Sequence, residues 1–188
     1  MRTNKLLIFV GVCLLIAAAA VLLWWQLGIQ DAAQKAESYV HIIRTQTPEP
    51  QSAVPEKRQD NTMAALSIDY TDFVGILEMP GYGLSLPVCE DWGETAKYSC
   101  RFSGSIYDRS IQIGATTQKG QLDFYRDLSV GDAVYFTDME GNRFSYEITD
   151  IRYQRHADQA ALQQKNADLT LFIQNIYAME YIILFCNN

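Results

Sequence analysis

From Leu6 to Trp25 the chain reads LLIFVGVCLLIAAAAVLLWW, a run with no charge and no proline. About 20 consecutive apolar residues match, as a helix, the hydrocarbon thickness of a bilayer. A transmembrane anchor is therefore expected over residues 6–27, behind a short tail, 1–5. The competing reading is a cleaved signal peptide, for which Ala17 to Ala20 supply small residues; the apolar run, however, continues past them through Val21, Leu22 and Leu23. Arg2 and Lys5 precede the run, and Trp24 and Trp25 close it. The positive-inside rule and the interfacial preference of tryptophan then place the N-terminus in the cytoplasm and the C-terminal part outside a cell membrane crossed once.

After the anchor, residues 28–45 contain DAAQKAESYVHIIR, rich in helix formers, with an apolar set at Tyr39, Val40, Ile42 and Ile43. A juxtamembrane helix that docks on the following domain is expected there. His41 has no evident partner and reads as incidental. Residues 46–66 hold three of the five prolines (Pro48, Pro50, Pro55) among polar residues, the composition of a semi-rigid, poorly ordered spacer. The folded domain is expected over 67–188. In a chain of 188 residues, 48% hydrophobic content with 12% aromatics is enough to fill a compact core. A net charge of −7, with scattered Lys and Arg, leaves no electrostatic footprint for nucleic acid.

Within the domain, short apolar runs alternate with turn residues. FVGILEM and LSLPV flank Pro80-Gly81-Tyr82-Gly83, SIQIGAT follows, and AVYFTDMEGNRFSYEITDI alternates on both sides of Glu140-Gly141-Asn142, the clearest hairpin in the chain. DLTLFIQN and YIILFC supply a closing hairpin, and EDWGETAKY, LDFYRDL and ADQAALQQ suit short helices. Closely spaced strands of this kind predict a mainly β fold, a small closed barrel without exposed edges. The four cysteines, Cys13, Cys89, Cys100 and Cys186, form no C-x-x-C pair, and with only two histidines they offer no zinc spacing. They read as isolated, mostly buried thiols, and a Cys100 to Cys186 disulfide is conceivable outside the cell. No metal or cofactor is expected, and neither a G-x-S-x-G elbow nor an H-E-x-x-H helix is present.

In their order, these segments resemble the sortases, membrane-anchored cysteine transpeptidases of Gram-positive bacteria, and within them the class B/D-like branch. FVGILEMPGYGLSLPV is similar to the family's IGxLEIPxLGLxLPV, CRFSGSIY to CRYSGSxY, LSVGDAVYFTDMEGNRFSYEITDI to LKxGDxVxFTDxDGNxYxYxVxxI, and DLTLFIQN to DLTLFTCT. The resemblance runs from about Phe73 to Cys186. It implies an eight-stranded barrel whose groove brings together a cysteine, a histidine and an arginine. In such enzymes the thiolate attacks a sorting-signal carbonyl, a thioacyl intermediate forms, and an amine of a cell-wall precursor or pilin resolves it. That chemistry needs a nucleophile with thiolate character, a proton donor for the leaving amine, and a cation or donors for the oxyanion.

Each of these positions reads differently here. The histidine of VIAGHN aligns with Thr116 in QIGATT, the cysteine of LTLFTC with Gln174 in LTLFIQ, and the arginine that opens RVAVRC with Tyr181 in YIILFC. Scaffold positions are kept: Gly75, Pro80, Leu86, Pro87, Gly104, Gly131, Asp132, Gly141 and Asp168. The expectation is a catalytically inactive sortase homologue. It has no catalytic residues of its own, and its candidate peptide groove is lined by Thr116, Gln174, Asn175 and Tyr181. The partners implied are the membrane, and a sorting-signal peptide, a pilin or an active sortase. An active transpeptidase or hydrolase with a displaced nucleophile is the alternative. His156, ahead of the closing hairpin, reads as a solvated loop residue.

Overall fold

The computed structural model describes residues 2–57, 60–94, 97–155, 167–175 and 178–188. Its first element, α1 (Arg2–Gln46), runs without interruption through both the apolar run and the DAAQKAESYVHIIR stretch. Beyond the apolar run, good helix formers and the i,i+4 pair Asp31–Lys35, at 3.0 Å, sustain it. Thr47 closes it, its N–H and Oγ1 both donating to the Ile43 carbonyl at 2.9 Å, and Pro48 follows, which cannot continue a helix. This is a helix long and apolar enough to cross a membrane, and its apolar window is exposed to the surroundings.

The far end of α1 is not free. Ala36, Tyr39, Val40 and Ile43 recur at helical spacing and are buried against Phe73, Ile76, Cys89, Tyr98 and Cys100. The Tyr39 ring lies 5.2 Å from Phe73 and 5.6 Å from Tyr98, and its Oη donates to Asp69 Oδ2 at 3.1 Å. Arg44 donates to Glu78 at 2.7 Å and to Ser85 at 2.9 Å, and Arg143 takes the second Glu78 oxygen at 3.0 Å. Helix and domain are thereby locked together by an apolar seam with a charged clamp at one end.

The proline-rich segment is also tied to the domain. β1 (Gln51–Ser52) pairs in parallel with the start of a later strand, at Asn142 and Arg143, and Met63 is buried in the main core. The strands that follow are β2 (Leu66–Ile68), β3 (Thr71–Met79), β4 (Leu84–Cys89), β5 (Ser99–Ser103), β6 (Ile111–Thr116), β7 (Ala133–Asp138), β8 (Asn142–Gln154), β9 (Leu169–Asn175) and β10 (Glu180–Asn187). Eight of them close a ring: β3 pairs with β4 and β7, β7 with β8, β8 with β10, β10 with β9, β9 with β6, β6 with β5, and β5 with β4. The expected closed β-barrel is what forms. Its interior is filled by alternate residues, among them Ile113, Ala115, Leu171, Ile173, Ile182, Leu184 and Cys186.

Two expectations need correction. The reading of isolated thiols fails at Cys89 and Cys100, which are bonded to each other, and the conceivable Cys100 to Cys186 pairing does not form, Cys186 being a free, buried thiol. Cys89 and Cys100 are register partners on the parallel strands β4 and β5 and pack with the α1 seam outside the barrel, whereas Cys186 points into its interior. The sheet itself separates the other combination. The second correction concerns short helices. Among the described residues of EDWGETAKY, Trp92–Glu94 form a single 3-10 turn. LDFYRDL stays as linked turns, with Tyr125 N–H to Leu122 O at 3.2 Å and Asp127 N–H to Phe124 O at 2.8 Å. Its buried residues, Leu122, Tyr125 and Leu128, recur every three residues, which suits i,i+3 turns capping a barrel end better than an α-helix. ADQAALQQ falls within 156–166, outside the described residues.

Candidate functional site

β6, β9 and β10 lie side by side, and their register decides which residues meet. Thr116 is the partner of Gln174 across the parallel β6–β9 pair, and Gln174 is the partner of Tyr181 across the antiparallel β9–β10 pair. Register partners share a face, so Thr116, Gln174 and Tyr181 form one cross-strand row, with strands about 4.8 Å apart. Tyr181 is in turn the partner of Gln154 on β8. The row Thr116–Gln174–Tyr181–Gln154 therefore crosses four strands on the outer face of the barrel. Every member is neutral, a hydroxyl, two primary amides and a phenol, each able to donate and accept hydrogen bonds.

The row is anchored at its Thr116 end. Thr116 is 3% exposed; its N–H donates to Gln121 Oε1 at 2.8 Å, its carbonyl accepts from Leu122 N–H at 3.2 Å, and its Oγ1 accepts from Gln118 N–H at 3.4 Å. Thr117 N–H donates to the Gln174 carbonyl at 3.1 Å, extending the β6–β9 ladder by one bond. Gln174 is exposed and Tyr181 half-buried. Asn175, the fourth residue read from sequence, alternates to the other face. Its amide donates to Tyr125 Oη at 3.0 Å and to Glu180 Oε1 at 3.2 Å, and its Oδ1 accepts from Ala178 N–H at 3.1 Å. It braces the closing turn beneath the row.

The neighbouring row on the same face is Gly114–Phe172–Ile183–Arg152. Here sequence reading passed over a residue that shapes the site. Trp92, on the loop between β4 and β5 that the Cys89–Cys100 disulfide closes, lays its ring across Gly114 and against Phe102 and Phe172, at centroid distances of 5.0 and 5.1 Å. A Cβ on Gly114 would stand 2.2 Å from Trp92 Cζ3 and 2.8 Å from Phe172 Cε2, so only glycine admits the indole. The glycine in the middle of QIGATT was the available signal, since an interior strand glycine marks close approach. Arg152 lies over Phe185 at 4.8 Å and donates to Asp150 at 2.8 Å, flanking the row on its far side.

Sulfur chemistry has no foothold on this face. Cys13 lies in the apolar part of α1, Cys89 and Cys100 are bonded to each other, and Cys186 is enclosed in the barrel, where burial pushes its thiol well above the usual range. His156 lies outside the described residues. Among the described residues no group of three His, Cys, Asp or Glu could hold a metal ion.

No family model and no curated protein sequence matches this chain. Solved structures do match in shape. Sortase C1 from Streptococcus agalactiae aligns with a TM-score of 0.54 at 18% identity, covering 65% of this chain and 71% of that one. Sortase A from Corynebacterium diphtheriae aligns at 0.51 and 15% identity, over 85% of this chain and 83% of that one. Sortase C-3 from Streptococcus pneumoniae gives 0.51 and 15%, over 85% and 80%. At such identities the likeness concerns fold: the domain is a sortase-type barrel.

Proposed function

We propose that this chain is a sortase-fold binding module of the class B/D-like kind, held at the outer face of the cell membrane by α1, in which acyl-transfer chemistry has been lost. On this reading it takes part in handling a cell-wall-sorted protein or pilin, either by engaging a sorting-signal peptide itself or by assisting an active sortase. The observation that carries the reading is the row Thr116–Gln174–Tyr181. Three residues that align by motif with histidine, cysteine and arginine come together in register on one face, as a catalytic triad of that order would need.

The chemistry of the row supports loss of transfer. A primary amide at the nucleophile position cannot form a thioacyl bond, threonine cannot protonate a leaving amine at neutral pH as an imidazolium does, and a phenol does not carry the charge of a guanidinium. A displaced cysteine nucleophile is not favoured, because the remaining thiols are in the membrane-type helix, in a disulfide or inside the barrel.

Binding remains open to such a surface. At Gln174 and Tyr181 the strands β9 and β10 are each paired on both sides, so a ligand lying there gains nothing from strand addition and must be held by side chains. Gln174, Tyr181 and Gln154 supply that contact, beside the exposed ring of Trp92, which is packed on the buried Phe172. Titration of the full chain in detergent with a fluorescent sorting-signal peptide tests the reading. Saturable binding, weakened about tenfold by Gln174→Lys as expected for loss of a neutral hydrogen-bonding contact, is the expected result. Absence of saturable binding would refute the peptide-engaging role.

A further inference from the structure

We propose that the cavity where the end of α1, the proline-rich segment and the barrel meet is a binding site for a small monocarboxylate with a short apolar chain. The site is independent of the peptide reading above and lies away from the row: it uses Arg143 at the start of β8, whereas the row reaches Gln154 at the far end of that strand.

The cavity encloses about 230 Å3, well above the roughly 15 Å3 that holds a single water. Ile43 of α1, Pro50 of the proline-rich segment and Ile76 of β3 make its apolar side, and Arg44, Thr137 and Arg143 its polar side. Register explains how these groups converge. Ile76, Thr137 and Arg143 are successive partners across β3, β7 and β8, so they stand in line on one face of the sheet. Thr137 is 6% exposed, and its Oγ1 is buried with no hydrogen-bond partner among the described residues. A hydroxyl left so is destabilising until something accepts its proton.

The charges select what that acceptor is. Arg44 Nη2 and Arg143 Nη1 hold the two oxygens of Glu78, at 2.7 and 3.0 Å, so two guanidiniums share one carboxylate and the trio carries an excess positive charge. Arg143 lies over the Tyr135 ring at 4.3 Å, which fixes its plane, and its contact with Glu78 leaves further N–H groups on the same guanidinium. Asp138 also borders the cavity, but its side chain alternates to the inner face. There Tyr107 Oη, Asn142 Nδ2 and the Glu140 and Asn142 N–H groups donate to its oxygens at 2.9 to 3.0 Å. Two carbonyls near the end of α1 are likewise taken: Ile42 O accepts from Thr45 Oγ1 at 2.7 Å, and Ile43 O accepts from Thr47. A carboxylate placed beside Thr137 and Arg143 accepts from both, while its chain lies on Ile43, Ile76 and Pro50. A phosphate dianion is opposed by the Glu78 carboxylate at the same guanidiniums, and a wholly apolar guest leaves the Thr137 hydroxyl unmet. An occupant touches helix, proline-rich segment and barrel at once, and so favours their docked arrangement.

The test titrates isotope-labelled propionate into the full chain in detergent, followed by NMR, with propionamide and inorganic phosphate compared at matched ionic strength. Saturable propionate binding with a Kd on the order of 1 mM is expected, with the neutral amide and phosphate at least about tenfold weaker. Thr137→Val keeps the shape and removes the hydroxyl; it should weaken propionate about tenfold, as loss of a hydrogen bond to a charged group does, and Thr137→Ser should bring affinity back to within about threefold of native. Without ligand, Thr137→Val should melt no lower than the native chain, because the unmet hydroxyl is gone. No saturable propionate binding, equal affinity for propionamide or phosphate, or unchanged propionate binding by Thr137→Val overturns the proposal. If Thr137→Val folds poorly, the ligand comparison on the native chain and the Thr137→Ser variant decide it.

Discussion

Single residues decide how the outer face is built. Gly114 leaves space that Trp92 occupies, so Gly114→Ala must displace the indole or the strand; a loss of about 1 to 3 kcal/mol in chemical denaturation is expected for such overpacking, with a change in tryptophan emission. Cys186 reports on the interior. Its thiol is held neutral by burial, whereas in the unfolded chain it ionises near pH 8.5. Its folded pKa is raised, so its contribution to stability is complete below the unfolded value and declines as pH rises above it, by up to about 1.4 kcal/mol per pH unit. Unfolding measured between pH 8 and 10 should show this slope, and Cys186→Val should flatten it.

At the scale of elements, the strands were legible and the attachments were not. Alternation in AVYFTDMEGNRFSYEITDI marks β7 and β8, two apolar runs broken by polar residues mark β9 and β10, and the register of β6, β9 and β10 then places Thr116, Gln174 and Tyr181 together. β1 carries no such signal. Two residues in a polar, proline-containing stretch have no periodicity, and their pairing with β8 depends on where α1 delivers the chain. The Cys89 partner was hidden for a related reason: only the parallel β4–β5 pairing brings Cys89 opposite Cys100. Asn175 is adjacent to Gln174 in sequence, and the pleat turns it to the opposite face. The disulfide closes the loop that bears Trp92, and Cys89→Ala with Cys100→Ala should cost about 2 to 3 kcal/mol of stability, read by denaturant midpoint. The α1 seam is testable in the same way: Ile43, 1% exposed, loses about 2 to 4 kcal/mol on substitution by alanine if the seam is part of the cooperative fold.

For the whole molecule, the proposed reading is a sortase-type barrel in which Thr116, Gln174 and Tyr181 meet in one row without supporting acyl transfer. If the row kept the geometry of a catalytic site, restoring Thr116→His, Gln174→Cys and Tyr181→Arg together should make the new thiol alkylate about tenfold faster at neutral pH than in Gln174→Cys alone, as expected for a thiol given a cationic neighbourhood. The native chain permits the most direct measurement. It is incubated in detergent with a sorting-signal peptide and an acceptor amine, and intact mass and peptide products are followed by mass spectrometry. Unchanged protein mass, uncleaved peptide and no amide product are expected; a covalent acyl adduct on the protein, or turnover of the peptide, would overturn the proposed loss of transfer.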